Sequence, residues 1–282
     1  MGRQTRILAE GIYFGEGPRW RDGRLWFSDF HAHAVKSVSL AGDVRTEVEL
    51  DDQPSGLGWM PDGSLLIVSM VKRQVLRRFP DGRLALHADL GAVADFHCND
   101  MVVDDRGRAY IGNFGFDLHA EAPFRPAELV LVPPDGPPRI VADDLAFPNG
   151  CVITPDGRTL VVGESGGARL TAFTVAADGS LGERRVWALL ESAVPDGICL
   201  DAEGAIWVAS PVGNEVLRVQ EGGAVLDRVR VSTIPFACML GGPDRRTLFV
   251  ATAETHQPER VKLKPSGRIE IATVRVPGAG RP

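Results

Sequence analysis

The 282-residue sequence lacks long apolar runs, clustered positive charge and a secretion-type leader. No stretch approaches the roughly 18 apolar residues that a membrane-spanning helix needs, and the opening MGRQTRILAE has no apolar segment. The 31 Lys and Arg residues are scattered and outnumbered by 37 Asp and Glu residues, so we expect no basic surface for nucleic acid. We predict a cytoplasmic protein, monomeric or weakly self-associating, that binds a small molecule and neither nucleic acid nor membrane.

Paired cysteines are also missing. Cys98, Cys151, Cys199 and Cys238 lie 53, 48 and 39 residues apart without a CxxC pair, which is typical neither of a zinc site nor of a small disulfide scaffold. We expect buried free thiols, since cysteine is among the most readily buried residues. The spacing itself points to an internal repeat.

The repeat has a small residue, a few apolar residues, a turn and then a β-rich run, and helical periodicity is nearly absent. Its six copies are separated by 39, 44, 50, 47 and 41 positions and begin at Gly17, Gly56, Asp100, Gly150, Gly197 and Cys238. A period of this length with strands around a turn is typical of propeller blades. We predict an all-β fold: one domain, residues 1–282, forming a six-bladed β-propeller with four-stranded antiparallel blades around a central channel. The segment 6–12 (RILAEGI) is expected to pair with the last blade and close the ring.

The residue before each copy should lie at the channel, because equivalent positions of a propeller lie on one circle. These residues are Glu16, Ser55, Asn99, Asn149, Asp196 and, in the last blade, Ala237 or a neighbour. The simpler interpretation is that pairs such as Asp196-Gly197 are turn formers. Against it, each copy has a separate turn signal a few residues later, such as RDGR or PDGR. Gly after the channel position would let the backbone come close to the channel.

Two carboxylates with amide oxygens indicate a hard-cation site. Calcium, magnesium and manganese prefer such oxygen ligands, whereas structural zinc usually recruits Cys or His. We expect one divalent cation, calcium first, with magnesium, manganese or zinc as alternatives.

The motifs around these positions resemble the gluconolactonase, regucalcin and luciferin-regenerating enzyme family of six-bladed propellers, which includes senescence-marker-like proteins. The resemblance covers almost the whole chain and rests on Glu16-Gly17-Pro18, Asn99-Asp100, Pro148-Asn149-Gly150 and Pro195-Asp196-Gly197. It implies that Glu16, Asn149 and Asp196 bind the metal, and that Asn99 contacts substrate or water on the metal. It further implies a metal-dependent lactonase with Asp196 as general base.

The remaining substrate contacts are expected near the channel mouth. Asp100 adjoins Asn99, and His97 stands where the family often has Arg, which indicates a substrate other than the usual sugar acid lactone, or one held differently. The segment 113–129 has no regular pattern, and we interpret it as a lid or an edge cover that contributes His119 and Glu121. A phosphotriesterase-like hydrolase and a non-catalytic metal- or ligand-binding propeller are the alternative functions.

Two other signals have simpler interpretations. Residues 163–167 (GESGG) match the G-x-S-x-G motif of serine hydrolases but join two predicted strands, so we expect a blade turn. His31 and His33 are expected to lie in a loop near the channel mouth.

Overall fold

The structure, a computed structural model, describes residues 3–282 and consists almost entirely of β-strands in six sheets. Successive antiparallel strands of a blade pair with one another, and each sheet contains at least four strands. The predicted six-bladed β-propeller is therefore confirmed.

Strands β1 (Arg3–Gln4) and β2 (Arg6–Ile12) precede the first blade. In chain order, blade 1 contains β3 (Gly15–Arg21), β4 (Arg24–Asp29), β5 (Ala34–Ser39) and β6 (Val44–Glu49). Blade 2 contains β7 (Pro54–Trp59), β8 (Leu65–Ser69), β9 (Gln74–Arg78) and β10 (Leu84–Asp89). Blade 3 contains β11 (Cys98–Val103), β12 (Ala109–Asn113), β13 (Ala127–Val132) and β14 (Arg139–Leu145).

Blade 4 contains β15 (Pro148–Ile153), β16 (Thr159–Glu164), β17 (Arg169–Val175) and β18 (Leu181–Leu189). Blade 5 contains β19 (Ile198–Leu200), β20 (Ile206–Ser210), β21 (Glu215–Val219) and β22 (Val225–Arg230). Blade 6 contains β23 (Ile234–Gly241), β24 (Thr247–Ala253) and β25 (Gly267–Thr273). A six-residue helix, α1 (Pro258–Leu263), lies between β24 and β25, and no helix in the described chain is long and apolar enough to cross a membrane.

The repeated copies form the first strand of each blade, and these strands surround the channel. Each first strand packs against those of both neighbouring blades, from β3 against β7 round to β23 against β3. Glycine permits this close packing. A Cβ atom at Gly56 would lie 2.3 Å from the backbone nitrogen of Met101, and one at Gly150 would lie 2.6 Å from that of Ile198. The glycine therefore lets the backbones of adjacent blades come close to one another.

The turns of the blades lie after the channel positions. In blade 1 the turn is Asp22-Gly23, with both residues in the left-handed region. In the other blades an aspartate carboxylate accepts the backbone N–H two residues later, at Asp62, Asp104, Asp156, Asp201 and Asp244. The pairs that begin the copies are thus parts of strands or lie just before them, and the interpretation of them as hairpin turns is wrong.

The core lies between the blades. The second strands β8 (LLIVS) and β20 (IWVAS) are buried at every residue, because blades cover both of their faces. Outer strands such as β6 (VRTEVE) are partly exposed and rich in charge. Burying a large side chain contributes about 1.5–3 kcal/mol, and the fully buried aromatic residues are Phe27, Tyr110, Trp207 and Phe249.

The ring is closed by β2, which pairs antiparallel with β25 and forms the outer strand of blade 6. This confirms the closure predicted for residues 6–12. Ala9 and Ile12 are buried in the core that blade 6 shares with its neighbours. The two-residue strand β1 adds to blade 5 by pairing parallel with β22, which the sequence pattern did not predict.

Deletion of residues 1–12 should give a protein that unfolds at lower temperature and is cut rapidly by protease, because blade 6 loses its outer strand and exposes a sheet edge. Deletion of residues 1–4 is the matched control, since it removes β1 and keeps β2. Thermal unfolding and limited proteolysis would measure both. Equal resistance of the two deletions would contradict the role of β2.

Candidate active site

The three predicted metal ligands and Asn99, a predicted substrate contact, meet in one cavity of about 280 Å³ at one end of the channel. Glu16, Asn99, Asn149 and Asp196 all line it, although they come from blades 1, 3, 4 and 5. The strand register shifts just after Glu16 and around Asn99 and Asn149, which marks a bulge at each of these positions. Such bulges redirect side chains. Ser55 occupies the equivalent position in blade 2 but is not among the lining residues.

Ionisation of the two acids is unfavourable, because both are buried and lie near other acids. Burial raises the pKa of Glu16 well above its ordinary value, and the nearby charges of Asp196 and Asp100 raise it further. Burial likewise raises the pKa of Asp196 to about 8, with a contribution from Asp100, while a hydrogen bond from Asn149 acts in the opposite direction. Neither Glu16 nor Asp196 takes part in an ion pair with any residue between 3 and 282.

Hydrogen bonds orient the amides beside these acids. The Asn149 Nδ2 donates to Ser165 Oγ at 3.3 Å, and Ser165 Oγ donates to the Pro195 carbonyl at 2.6 Å. The Asn99 Nδ2 donates to the Pro148 carbonyl at 3.2 Å. The amide oxygens are then the atoms suited to a cation or a polar substrate group.

Ser165 therefore has a positioning role that the sequence pattern missed. It begins a three-residue 3-10 turn, Ser165–Gly167, between strands β16 and β17. A nucleophile elbow requires a turn from a strand into a helix, so the GESGG motif is a blade turn as expected. The sequence signal for this role was a hydroxyl-bearing residue, Ser165, in a turn that connects two strands beside the channel.

A buried ion pair lies behind the acids. The Arg19 guanidinium donates to Asp100 Oδ1 at 2.7 Å, to the Leu57 carbonyl at 2.8 Å and to the Pro18 carbonyl at 2.8 Å. Asp100 is not among the cavity-lining residues, because its carboxylate is turned to Arg19 and to the backbone N–H of Met101. Arg19 was overlooked at the sequence level, although it stands out as a charged residue in the GPRW stretch.

Arg19 also lines a larger recess, about 1010 Å³, that contains turn residues such as Gly23, Pro61 and Pro155. This recess does not include Glu16 or Asp196. The smaller cavity is therefore the candidate site, since it brings together the perturbed acids and the amides.

Two residues of the cavity wall, His97 and Phe147, occupy equivalent positions in blades 3 and 4. His97 lies just before β11 and not on a strand face shared with Asn99, yet both residues line the cavity. The ring of His97 stacks on Phe96 with the centroids 4.1 Å apart. Phe147, two residues before Asn149, has a φ of 59°, a left-handed conformation that bulky residues rarely adopt. Its ring nevertheless lies in the wall, 4.6 Å from the ring of Phe114.

Two connections cover the mouth of this cavity. Residues 114–126 join β12 to β13 and contribute Leu118 and His119, whereas the ends of the predicted 113–129 segment belong to those strands. The connection before α1 contributes His256, the first residue of α1 contributes Pro258, and the His119 and His256 rings lie 6.3 Å apart. Glu121 is exposed and is not among the lining residues, because the connection turns it away from the cavity.

His31 and His33 differ in their position relative to the cavity. His31 lies in the 3-10 turn Phe30–Ala32 and lines the cavity, as expected for a residue at the channel mouth. His33 follows the turn in a left-handed conformation and does not line it.

The residues present fit a divalent cation. Two buried carboxylates without an ion-pair partner and the oxygen of Asn149 form a hard-ligand set, and a 2+ charge would offset the burial and the nearby negative charges that raise both pKa values. Among residues 3–282, no group of three or more His, Cys, Asp and Glu side chains is arranged to hold a metal. The amide of Asn149 is accordingly part of the expected set.

Residues 14–254 match the SMP-30/gluconolactonase/LRE-like region. The chain belongs to this family. It is 30% identical to a 6-deoxy-6-sulfogluconolactonase from Pseudomonas putida, over 98% of this chain and 96% of that protein. It is 28% identical to a pentonolactonase from Haloferax volcanii, over 88% of this chain and 84% of that protein.

Solved structures of the SMP-30/gluconolactonase/LRE-like type have the same fold. A calcium-binding protein, regucalcin, from Agrobacterium tumefaciens superimposes with a TM-score of 0.81 at 23% identity, covering 100% of this chain and 99% of that one. A gluconolactonase from Xanthomonas campestris superimposes with a TM-score of 0.77 at 24% identity, covering 95% and 89%. At these identities the likeness establishes the propeller fold.

In metal-free protein, Asp196→Asn should be stabilising relative to wild type, and increasingly so from about pH 4 to about pH 8. The folded-state pKa of Asp196 is about 8, against 3.8 for a free side chain. Native protein therefore binds more protons than unfolded protein in this window, and the contribution of Asp196 to stability falls as pH rises. Because asparagine does not titrate, the Asp196→Asn variant does not lose this stability as pH rises. Unfolding free energies of both proteins in EDTA would measure the difference.

The matched control is Asp201→Asn in the same blade. Asp201 is also buried, but it accepts from Arg218 Nε at 2.6 Å. Its replacement removes this buried ion pair and leaves Glu203 as the remaining carboxylate partner of Arg218, which should destabilise the protein. Parallel stability curves for wild type and Asp196→Asn across the pH window would contradict the raised pKa.

Proposed function

We propose that this protein is a metal-dependent lactonase that opens a cyclic ester by attack of water in the channel. The observation that carries the proposal is the pair of buried carboxylates, Glu16 and Asp196, facing one cavity without an ion-pair partner. Family membership and the lactonases among the relatives support the same reaction class.

Glu16, Asn149 and Asp196 would hold one divalent cation. When bound, the cation supplies Lewis acidity toward the ester carbonyl. Calcium is the ion that we propose first, because the donors are hard oxygen atoms and a structural relative is a calcium-binding regucalcin.

The side chains divide the remaining work. Asp196 accepts a proton from water as the water oxygen bonds to the acyl carbon, and the ring C–O bond then breaks. The proton passes to the departing alkoxide, so the product is a hydroxy acid and nothing else is consumed. Asn99 orients the substrate from blade 3, and Ser165 keeps the Asn149 amide in place.

Asp196→Ala and Glu16→Gln should each lower lactone turnover by roughly 10³-fold or more while the protein still folds. EDTA-stripped protein would be supplied in turn with calcium, magnesium, manganese and zinc, and proton release would be followed with a pH indicator. Thermal unfolding with and without cation gives a second readout, because only wild type should gain stability from the ion.

Glu191→Gln is the control, since Glu191 is an exposed acid that does not line the cavity. Wild-type rates in Asp196→Ala would refute the assignment. Tight cation binding with no turnover of any lactone would instead favour a binding propeller.

A further inference from the structure

The cavity above the acid pair has an uncharged wall. One residue from each blade, close before the channel position, forms a ring around it: Phe14, Gln53, His97, Phe147, Val194 and Phe236. No Lys or Arg is among the cavity-lining residues of the described chain. The acids and amides at the base of the site are thus surrounded mainly by carbon.

Aromatic rings form two clusters of tilted pairs in this wall. Phe14 lies with its ring centroid 5.4 Å from that of Phe30 and 4.7 Å from that of Phe236, which joins blades 1 and 6. Phe114 and Phe147, 4.6 Å apart, join blades 3 and 4. Surfaces of this kind favour apolar or aromatic ligand groups.

Three histidines of the wall, His31, His97 and His256, do not add positive charge at neutral pH. Burial lowers the pKa of His31 to about 4 and also lowers those of His97 and His256. The buried His31 Nδ1 has no hydrogen-bond partner in the described chain. Lys262 lies close enough to act on His31 but is exposed and outside the lining.

The entrance is apolar as well. Val71 and Leu118 line the cavity and remain 43% and 39% exposed, which is high for hydrophobic side chains at the mouth of a site. An apolar group would bury both side chains on entry.

We propose that the substrate is a lactone whose ring carries an alkyl or aryl substituent, with the ester at the acid pair and the substituent against the aromatic wall. This inference rests on the proposed lactonase function and names its substrate class. A polyhydroxylated lactone would lose water from each hydroxyl group that meets the wall without gaining a hydrogen bond. An anionic one would find no cationic side chain in the lining.

The first test compares γ-lactones bearing hydrogen, methyl, ethyl and butyl substituents with D-glucono-1,5-lactone, using cation-loaded protein. We expect kcat/KM to rise roughly three- to fourfold per buried methylene, as apolar transfer implies. After correction for spontaneous hydrolysis, the butyl compound should exceed gluconolactone at least tenfold. Preference for gluconolactone would overturn the substrate class and leave the lactonase function standing.

The second test measures binding without turnover. The corresponding γ-lactams resist hydrolysis, and calorimetric titration should show affinity rising with substituent length. This result would support an alkyl- or aryl-substituted ligand class even if no lactone were hydrolysed, in which case the proposed function alone fails. Affinity independent of substituent length would overturn the inference.

A third test uses a variant of Phe147 to show whether the substituent contacts the aromatic wall. Phe147→Asn keeps a residue that tolerates the left-handed backbone but removes the ring. It should lower kcat/KM at least fivefold more for the butyl lactone than for the unsubstituted one. Phe124→Asn is the control, because Phe124 is exposed and outside the lining. Equal loss on both lactones in Phe147→Asn would contradict the contact.

Discussion

The burial of two neighbouring carboxylates, to which the repulsion of nearby acids adds, is the constraint on which the channel depends. Glu16 belongs to blade 1 and Asp196 precedes the first strand of blade 5, so the closed ring brings them together against an electrostatic cost. A protein retains such a cost where a cation or a proton is to be bound. Blade packing and the glycines at the first strands supply the rigidity that keeps the acids in place.

Arg19 lies near Glu16 but forms its ion pair with Asp100. Its guanidinium is near enough to lower the pKa of Glu16, yet its N–H groups are engaged by the Asp100 carboxylate and by the carbonyls of Pro18, Leu57 and Met101. Since these bonds hold it behind the cavity, it cannot form an ion pair with either acid. The site thus keeps its negative charge available on one side and an apolar wall on the other.

The fold and the base of the site could be predicted because both depend on the repeat. A period near 47 residues specifies blades, and a fixed place in each blade brings Glu16, Asn149 and Asp196 to one channel. Arg19 and Ser165 could not be found in this way, because hydrogen-bond direction depends on bulges and turns that the pattern does not encode. Asp100 and Glu121 illustrate the same limit: adjacency in sequence to a lining residue or to a loop does not determine which way a side chain turns.

Ring closure by β2 also has a consequence for biosynthesis. Arg6 pairs with Ile271 and Glu10 with Arg268, so blade 6 joins residues from both ends of the chain. Contacts so distant in sequence form late, because a long loop must first be closed. Until then the partly made ring exposes an unpaired edge on blade 6, and the acids of blades 1 and 5 are not yet held together. A nascent chain can therefore complete neither its propeller nor the cavity that brings Glu16 and Asp196 together until synthesis has reached β25.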